Sequence, residues 1–468
     1  MDRSELAFAG IARQAELIRA KEVSSAELVE LYLGRIGELG PRLNAFTKVL
    51  AEKAVAEAAE ADRRVAAGEQ APLLGVPIAL KDTLDVEGEV TGLGSAAFDT
   101  PARSDAAVVA RLRAAGAVIL AKTTLPELAI YGFTESQRWG ITRNPWNIDR
   151  TTGGSSGGSG AAVGAGLVGG ASASDGAGSI RIPAAFCGLF GLKPQRGRVP
   201  IEPPDHWRGM SVNGCVTRSV LDTALYLDVV TAGGGDPGGP PPPDRPFVEA
   251  ARTAPGALRI AVSHKPARAA APPIVTDEVK RALAETEELL RSLGHDVQRR
   301  DPRYGTSGNH LVARYLRGIA DDVRATPRPD LLEERSRGLA KLGDLFPERV
   351  VRGAVAAADS DREKLFSSLN DCDVLMTPTV GEPPVEVRRW EGKSALKTVI
   401  TMARTYCFTP VWNHTGQPAA AVPAGFTEDG LPLSVTLVGK PNDEATLLSL
   451  AAQIEAERPW ADRRPPLS

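Results

Sequence analysis

The chain has 468 residues and a formal net charge of −3, from 55 Lys and Arg against 58 Asp and Glu. That balance argues against nucleic acid as the main partner, and 43% apolar with 24% charged residues excludes long-range disorder. No apolar run approaches the roughly 20 residues of a membrane helix. The segment Met1-Asp2-Arg3-Ser4-Glu5 does not read as a secretory signal, so a cytoplasmic location is expected, with no membrane partner. Cys187, Cys215, Cys372 and Cys407 are widely spaced, and the five histidines form no His-Glu-x-x-His. Zinc ribbons, a disulfide framework and a His-based metalloenzyme are therefore not expected.

Ser24-x-x-Glu27 is a capping box ahead of Leu28, Leu31 and Ile36 at helical spacing. The Ala- and Glu-rich stretch 51–68 predicts a second helix, with Gly68 as its first breaker. Leu73 to Leu80 is an apolar run containing Pro77 and reads as a short buried or edge strand, with Lys81 at its C-terminal end. A helix over 105–115 and a strand over 117–121 follow. Beyond the Gly/Ser-rich region 153–194 come a helix over 219–230 and a proline-dense stretch, 233–246, that reads as an exposed loop. The second half predicts strands at 257–262 and 295–299, helices at 275–293, near 308–323 and at 361–370, and a strand at 373–377. Strands near 419–423 and 433–438 and a helix at 443–457 complete the pattern. The alternation predicts an α/β protein whose sheet is covered by helices on both faces.

Glycine and proline together are 83 of the 468 residues, against an average near 12%. The excess is concentrated in two places, the stretch 233–246 and the Gly/Ser-rich region that opens with the run Gly153-Gly154-Ser155-Ser156-Gly157-Gly158-Ser159-Gly160. A flexible linker is one reading, but the run continues into Ala161-Ala162-Val163, which suits a helix of small residues packed in the interior. Gly164-x-Gly166-x-x-Gly169 matches a dinucleotide fingerprint, yet no strand leads into it and no acidic residue lies about 20 positions on. A Walker loop fails, because Val387 stands where the first glycine before Gly392-Lys393-Ser394 belongs. Gly154-x-Ser156-x-Gly158 satisfies the nucleophile-elbow pattern, which would make Ser156 the nucleophile of a serine hydrolase or esterase, but the preceding Asn144-Pro145-Trp146-Asn147 reads as a turn. Ser394-x-x-Lys397 has none of the companion motifs of the penicillin-recognising enzymes.

Taken together, the run 153–160, the segment Asp175-Gly176-Ala177-Gly178-Ser179-Ile180-Arg181-Ile182-Pro183 and the closing Gly191-Leu192-Lys193-Pro194 resemble the amidase signature family. Gly75-Val76-Pro77-Ile78-Ala79-Leu80-Lys81-Asp82 matches the family's lysine segment, and Asn413-His414-Thr415-Gly416-Gln417-Pro418 also looks like it. The resemblance implies a Ser–cis-Ser–Lys triad, with Ser179 as nucleophile, Ser155 as bridging serine and Lys81 as base, and a cis peptide at Gly154–Ser155. It further implies an oxyanion hole from the backbone of Gly176, Ala177, Gly178 and Ser179, with Asp175 and Arg181 as structural supports of that loop. The chemistry suits the residue types. A serine hydroxyl needs a base, a lysine serves as one only when neutral, and burial lowers its pKa. No metal or organic cofactor is needed. One departure is Ala177-Gly178 where the family has two glycines, and another is Ala173-Ser174-Asp175 for its Gly-Thr-Asp. Alanine does not easily take positive φ, so an altered oxyanion loop is expected.

The expected activity is hydrolysis of a small aryl or aliphatic amide through an acyl-enzyme. Tyr131, Ser156, Trp207 and Met210 are candidate substrate-binding residues, with Phe408 and Trp412 further apolar candidates near the motifs. A narrower alternative is the A subunit of a glutamyl-tRNA amidotransferase, but Ile182 stands where that subunit usually has Gln. A homodimer is a state the family allows. Because Lys81 and Ser179 must meet in one site, one large α/β/α domain with a central mixed sheet is expected over 1–468. Its N-terminal helices fall at about 1–70, the signature core at about 71–230, and a C-terminal half at 247–468 completes sheet and pocket.

Overall fold

The computed structural model describes residues 2–267, 271–369 and 371–468. Eleven strands form one sheet: β1 (Phe46–Val49), β2 (Pro77–Lys81), β3 (Val118–Thr123), β4 (Gly170–Asp175), β5 (Phe190–Lys193), β6 (Val212–Thr217), β7 (Arg259–Val262), β8 (Asp296–Arg299), β9 (Val374–Pro378), β10 (Ala419–Phe426) and β11 (Pro432–Val438). Their spatial order is β1-β3-β2-β4-β6-β5-β10-β11-β9-β7-β8. The sheet is mixed, parallel through β3-β2-β4 and through β9-β7-β8 and antiparallel between the other neighbours. β5 pairs with β10, Leu192 opposite Ala420, so strands from both halves of the chain share the sheet.

Both faces are covered, as the alternation of strands and helices predicts. Along β2, Ile78 and Leu80 enter one apolar core and Ala79 the other, the period of two that strand geometry imposes. The first core is closed by the helices Val220–Thr231 and Glu444–Glu457. The second contains the helices Gly157–Gly164 and Arg181–Cys187, every residue of which is buried. The Gly/Ser run is therefore interior helix and its approach, not a tether. Its small residues permit very close packing. A Cβ on Gly158 would lie 2.4 Å from the backbone nitrogen of Thr124, and one on Gly160 would lie 3.0 Å from Cys187 Sγ.

Other sequence features find plain structural roles. In the capping box, Ser24 Oγ accepts from Glu27 N–H at 3.1 Å and Glu27 accepts from Ser24 N–H at 2.7 Å. Ser394-x-x-Lys397 is a helix start, with Ser394 Oγ accepting from the Lys397 N–H. Gly164 to Gly169 leads from a helix into a strand, the reverse of the dinucleotide motif. The stretch 233–246 is a largely exposed loop. The helix expected over 361–370 instead spans Ala358–Phe366, and residue 370 lies outside the described residues. Asn144-Pro145-Trp146-Asn147, read as a turn, joins the short paired strands Arg143–Asn144 and Asn147–Thr151, outside the main sheet. Among the described residues no helix is long and apolar enough to cross a membrane.

The packing makes opposite predictions for two helical glycines. Gly158→Ala, which meets backbone, should cost about 3 kcal/mol or more. Gly34→Ala, on an exposed helix surface with nothing within 4 Å, should gain about 0.5–1 kcal/mol. Urea unfolding of the two variants checks both signs.

Candidate active site

Lys81 is the last residue of β2 and is fully buried. β2 and β4 run parallel, with Ala79 opposite Ala171, so their carboxyl ends reach the same edge of the sheet. On β4, Ser172 and Ser174 share one face. Ser172 Oγ accepts from the Lys81 backbone N–H at 2.8 Å. Lys81 Nζ donates to Ser174 Oγ at 2.9 Å and to Ser155 Oγ at 2.8 Å. Ser155 lies just before the helix Gly157–Gly164, and the Gly154–Ser155 peptide is cis. The glycine at 154 is needed for space, since a Cβ there would lie 2.6 Å from Phe133 N. Among the described residues no carboxylate lies within ion-pair distance of Lys81. Burial pushes its amine down to about 7, only partly opposed by the Asp175 charge.

Asp175 ends β4 and holds the loop that follows. Its Oδ1 accepts from Gly178 N–H at 2.6 Å, Arg181 Nη2 at 3.0 Å and Asn413 Nδ2 at 2.8 Å. Its Oδ2 accepts from Ile180 N–H at 3.2 Å and Arg181 Nε at 2.9 Å. Burial would raise the Asp175 carboxyl, but Arg181 and the hydrogen bonds hold it at about 2. Arg181 also donates to Thr409 O and Asn413 Oδ1. Both residues sit where structural supports of the loop were expected.

Ser179 is half-buried at the end of this loop. Its carbonyl accepts from Ser156 N–H at 3.3 Å, and its hydroxyl makes no hydrogen bond to a described residue. Of the four expected oxyanion donors, the N–H groups of Gly176, Ala177 and Ser179 have no partner among the described residues. Gly178 departs from the expectation, because its N–H already donates to Asp175. The left-handed φ of the loop, +126°, falls on Gly178, and Ala177 is not among the positive-φ residues. The alanine departure therefore brings no backbone strain.

A cavity of about 450 Å³ opens on Ser155, Ser174, Gly176 and Trp207. A larger groove of about 1130 Å³ runs between Glu135, Lys341 and Arg388 and borders none of Lys81, Ser155 and Ser179, of which the smaller cavity borders Ser155; size alone does not mark the site. Of the candidate substrate residues, only Trp207 lines the reactive cavity. Its indole packs on Gly176, where a Cβ would lie 2.7 Å away, and its Nε1–H donates to Asp322 at 2.6 Å. Tyr131 and Met210 are instead fully buried in an apolar cluster, Tyr131 stacked on Phe133. Phe408 and Trp412 are buried as well. Ser156 was expected as a binder and, alternatively, as an elbow nucleophile. Its buried hydroxyl donates to Ser174 O and accepts from Ser174 N–H, each at 3.3 Å, and it does not border the cavity.

Among the described residues one cluster has metal-ligand geometry, His310, Asp361 and His414. Its donor chemistry does not fit an ion. Arg314 Nη1 lies 3.0 Å from His414 Nδ1, and a guanidinium can only donate. His414 Nε2 therefore carries the proton and gives it to Asp361 at 2.9 Å, leaving no lone pair for a metal. Burial pushes the His414 imidazole down to about 4, which keeps it neutral.

A model of the family described as Amidase matches residues 27–448. The chain belongs to the amidase signature family. It is 50% identical, over 100% of both chains, to the Mycobacterium tuberculosis protein named "Putative amidase AmiB2". It is 35% identical to the 6-aminohexanoate-cyclic-dimer hydrolase of Paenarthrobacter ureafaciens, over 97% of this chain and 96% of that one. A solved structure of 6-aminohexanoate cyclic dimer hydrolase superposes with a TM-score of 0.89 at 34% identity, covering 98% and 99% of the two chains. The peptide amidase from Stenotrophomonas maltophilia gives 0.81 at 27% identity, covering 98% of each. The protein is an amidase, a hydrolase acting on C–N bonds.

Sequence reasoning missed Ser174, Thr409 and Asn413 as site residues. The alternation Ser172-x-Ser174 was the available signal, since on a strand it sets both hydroxyls on one face. Ser174→Ala removes an acceptor from Lys81, and an acceptor favours the charged ammonium. The acid limb of the pH–rate profile should therefore move to lower pH, with kcat reduced roughly tenfold. Ser174→Thr should restore both, as steady-state assays across pH will show.

Proposed function

We propose that the amidase works through an acyl-enzyme on Ser179, with Lys81 as general base and Ser155 as proton relay. The observation that carries this reading is the buried Lys81 amine, without an ion-pair partner among the described residues, bonded to Ser155 Oγ at 2.8 Å on the wall of the cavity. Neutral Lys81 takes the Ser155 proton as Ser155 takes that of Ser179. The Ser179 oxygen attacks the amide carbon, and the charge on the carbonyl oxygen is met by the free N–H groups of Gly176, Ala177 and Ser179. The proton returns through Ser155 to the leaving nitrogen, which departs poorly without it. Water then attacks the acyl-enzyme by the same route. Ser174 accepts one amine N–H, which aims the lone pair of Lys81 at Ser155.

The 450 Å³ cavity suits a small aryl or aliphatic amide. The similar proteins named for a cyclic dimer of 6-aminohexanoate and for peptide amides support a linear or cyclic carboxamide over a tRNA-bound substrate. We further infer a single catalytic domain over 1–468, since strands of both halves share one sheet. A cytoplasmic location, no nucleic-acid or membrane partner, and a homodimer complete the proposal; the near-balanced charge supports the exclusion of nucleic acid.

Ser179→Ala should lower kcat/KM for amide hydrolysis by about a thousandfold or more and abolish labelling by a fluorophosphonate probe, read by mass spectrometry. Ser156→Ala should leave the label in place, and undiminished turnover by Ser179→Ala would overturn the assignment. The base is active when deprotonated, so kcat/KM should rise as pH passes through about 7 and level off above it. A rate that instead falls on leaving acid would remove Lys81 as base.

A further inference from the structure

The charges around the reactive cavity are one-sided. The chain as a whole carries 55 cationic and 58 anionic side chains, yet the cavity is lined by Asp85, Asp99, Glu202 and Asp322 and by no lysine or arginine. Asp99 is offset by Arg328 at 3.1 Å. Asp322 accepts from Trp207 and faces His206 Nε2 at 3.3 Å, while the other nitrogen of His206 bonds Ser211. Asp85 and Glu202 have no ion-pair partner within 4 Å among the described residues, and both are exposed at the cavity wall. Leu84, Phe98, Val108 and Ile201 give the same lining apolar surface, beside neutral hydroxyls such as those of Thr83 and Thr91.

A cleft lined by one sign of charge focuses its field inward and concentrates ligands of the opposite sign. The inner end supplies no fixed cation to cancel that field. Lys81 lies behind Ser155 and Ser174 and is largely neutral above about 7, while Arg181 is spent on Asp175. We propose that the enzyme selects amides that carry an alkylammonium group at the end remote from the scissile carbonyl, with Asp85 and Glu202 as specificity-determining residues. The inference rests on the Ser179 reading. Apolar walls accept the methylene chain, and the carboxylates receive the charge.

The test uses the full chain and fluorophosphonate labelling of Ser179, with two competitors of equal length, 6-aminohexanamide and hexanamide. At low salt and pH 8, 6-aminohexanamide should protect Ser179 at roughly fivefold lower concentration. The ratio should fall towards one at about 1 M salt, where screening acts within about 3 Å. It should also fall towards one in the double variant Asp85→Asn, Glu202→Gln. Equal protection at low salt, or stronger protection by hexanamide, overturns the inference and leaves the Ser179 assignment standing, as does a preference that survives the double variant. Failure of the probe to label Ser179 overturns the assignment and the inference together.

Discussion

The site depends on keeping a lysine out of water without giving it a carboxylate. A buried ammonium is costly, and proteins usually offset it with an ion pair. At Lys81 the partners are two neutral hydroxyls, Ser155 and Ser174. The magnitude shows why this matters. A carboxylate at 4 Å with an effective dielectric constant of 20 would favour the charged amine by about 4 kcal/mol. That is about 3 pKa units, enough to return Lys81 to its ordinary value and remove the base that the proposed mechanism needs. Asp175 supplies such a charge nearby and does raise the amine. Its effect is contained because Arg181 holds both its carboxylate oxygens.

Arg181 thus serves the proposed base and the loop together. The same guanidinium that neutralises Asp175 reaches Thr409 and Asn413, and Asn413 returns a hydrogen bond to the Asp175 carbonyl. Thr409 Oγ1 donates to Ala177 O. The loop carrying Ser179 is therefore fixed by residues more than two hundred positions away. Breaking a buried pair of this kind by removing one partner costs about 3–5 kcal/mol. The C-terminal half is in this sense part of the reactive loop's support and not an addition to a separate signature core.

The legibility of the sequence follows the same physics. Peripheral strands and helices with large apolar residues at regular spacing, such as Val374–Pro378 or Asp277–Ser292, were readable to within a few residues. The central strands Gly170–Asp175, Phe190–Lys193 and Val212–Thr217 were not. Gly170–Asp175 holds only Gly, Ala, Ser and Asp, and Val212–Thr217 is interrupted by Asn213, Gly214 and Cys215, residues with weak strand preference, while Phe190–Lys193 is only four residues long. The proposed triad was legible as a resemblance, since Lys81, Ser155 and Ser179 stand in matching motifs. The roles of Ser156, Tyr131 and Met210 were not, since burial against backbone or core is settled by tertiary packing. Trp207 owes its place to a left-handed backbone, with φ of +51° at Trp207 and +55° at Arg208, conformations that no local rule assigns to those residues.

The carboxylates of the cavity link the proposed binding of a cation to the proposed base. Asp85 and Glu202 are exposed on the cavity wall and Asp175 is compensated by Arg181, so a substrate ammonium gains most beside Asp85 and Glu202. There it is also a like charge to a protonated Lys81 and disfavours that form. Occupancy by a cationic amide would then hold Lys81 in the neutral state that the proposed mechanism requires, whereas an anionic amide would be repelled by those carboxylates and would favour the protonated lysine. Discrimination by charge would thus act twice, once on entry and once on the protonation of the base, with the second effect smaller because it reaches Lys81 across the hydroxyls of Ser155 and Ser174.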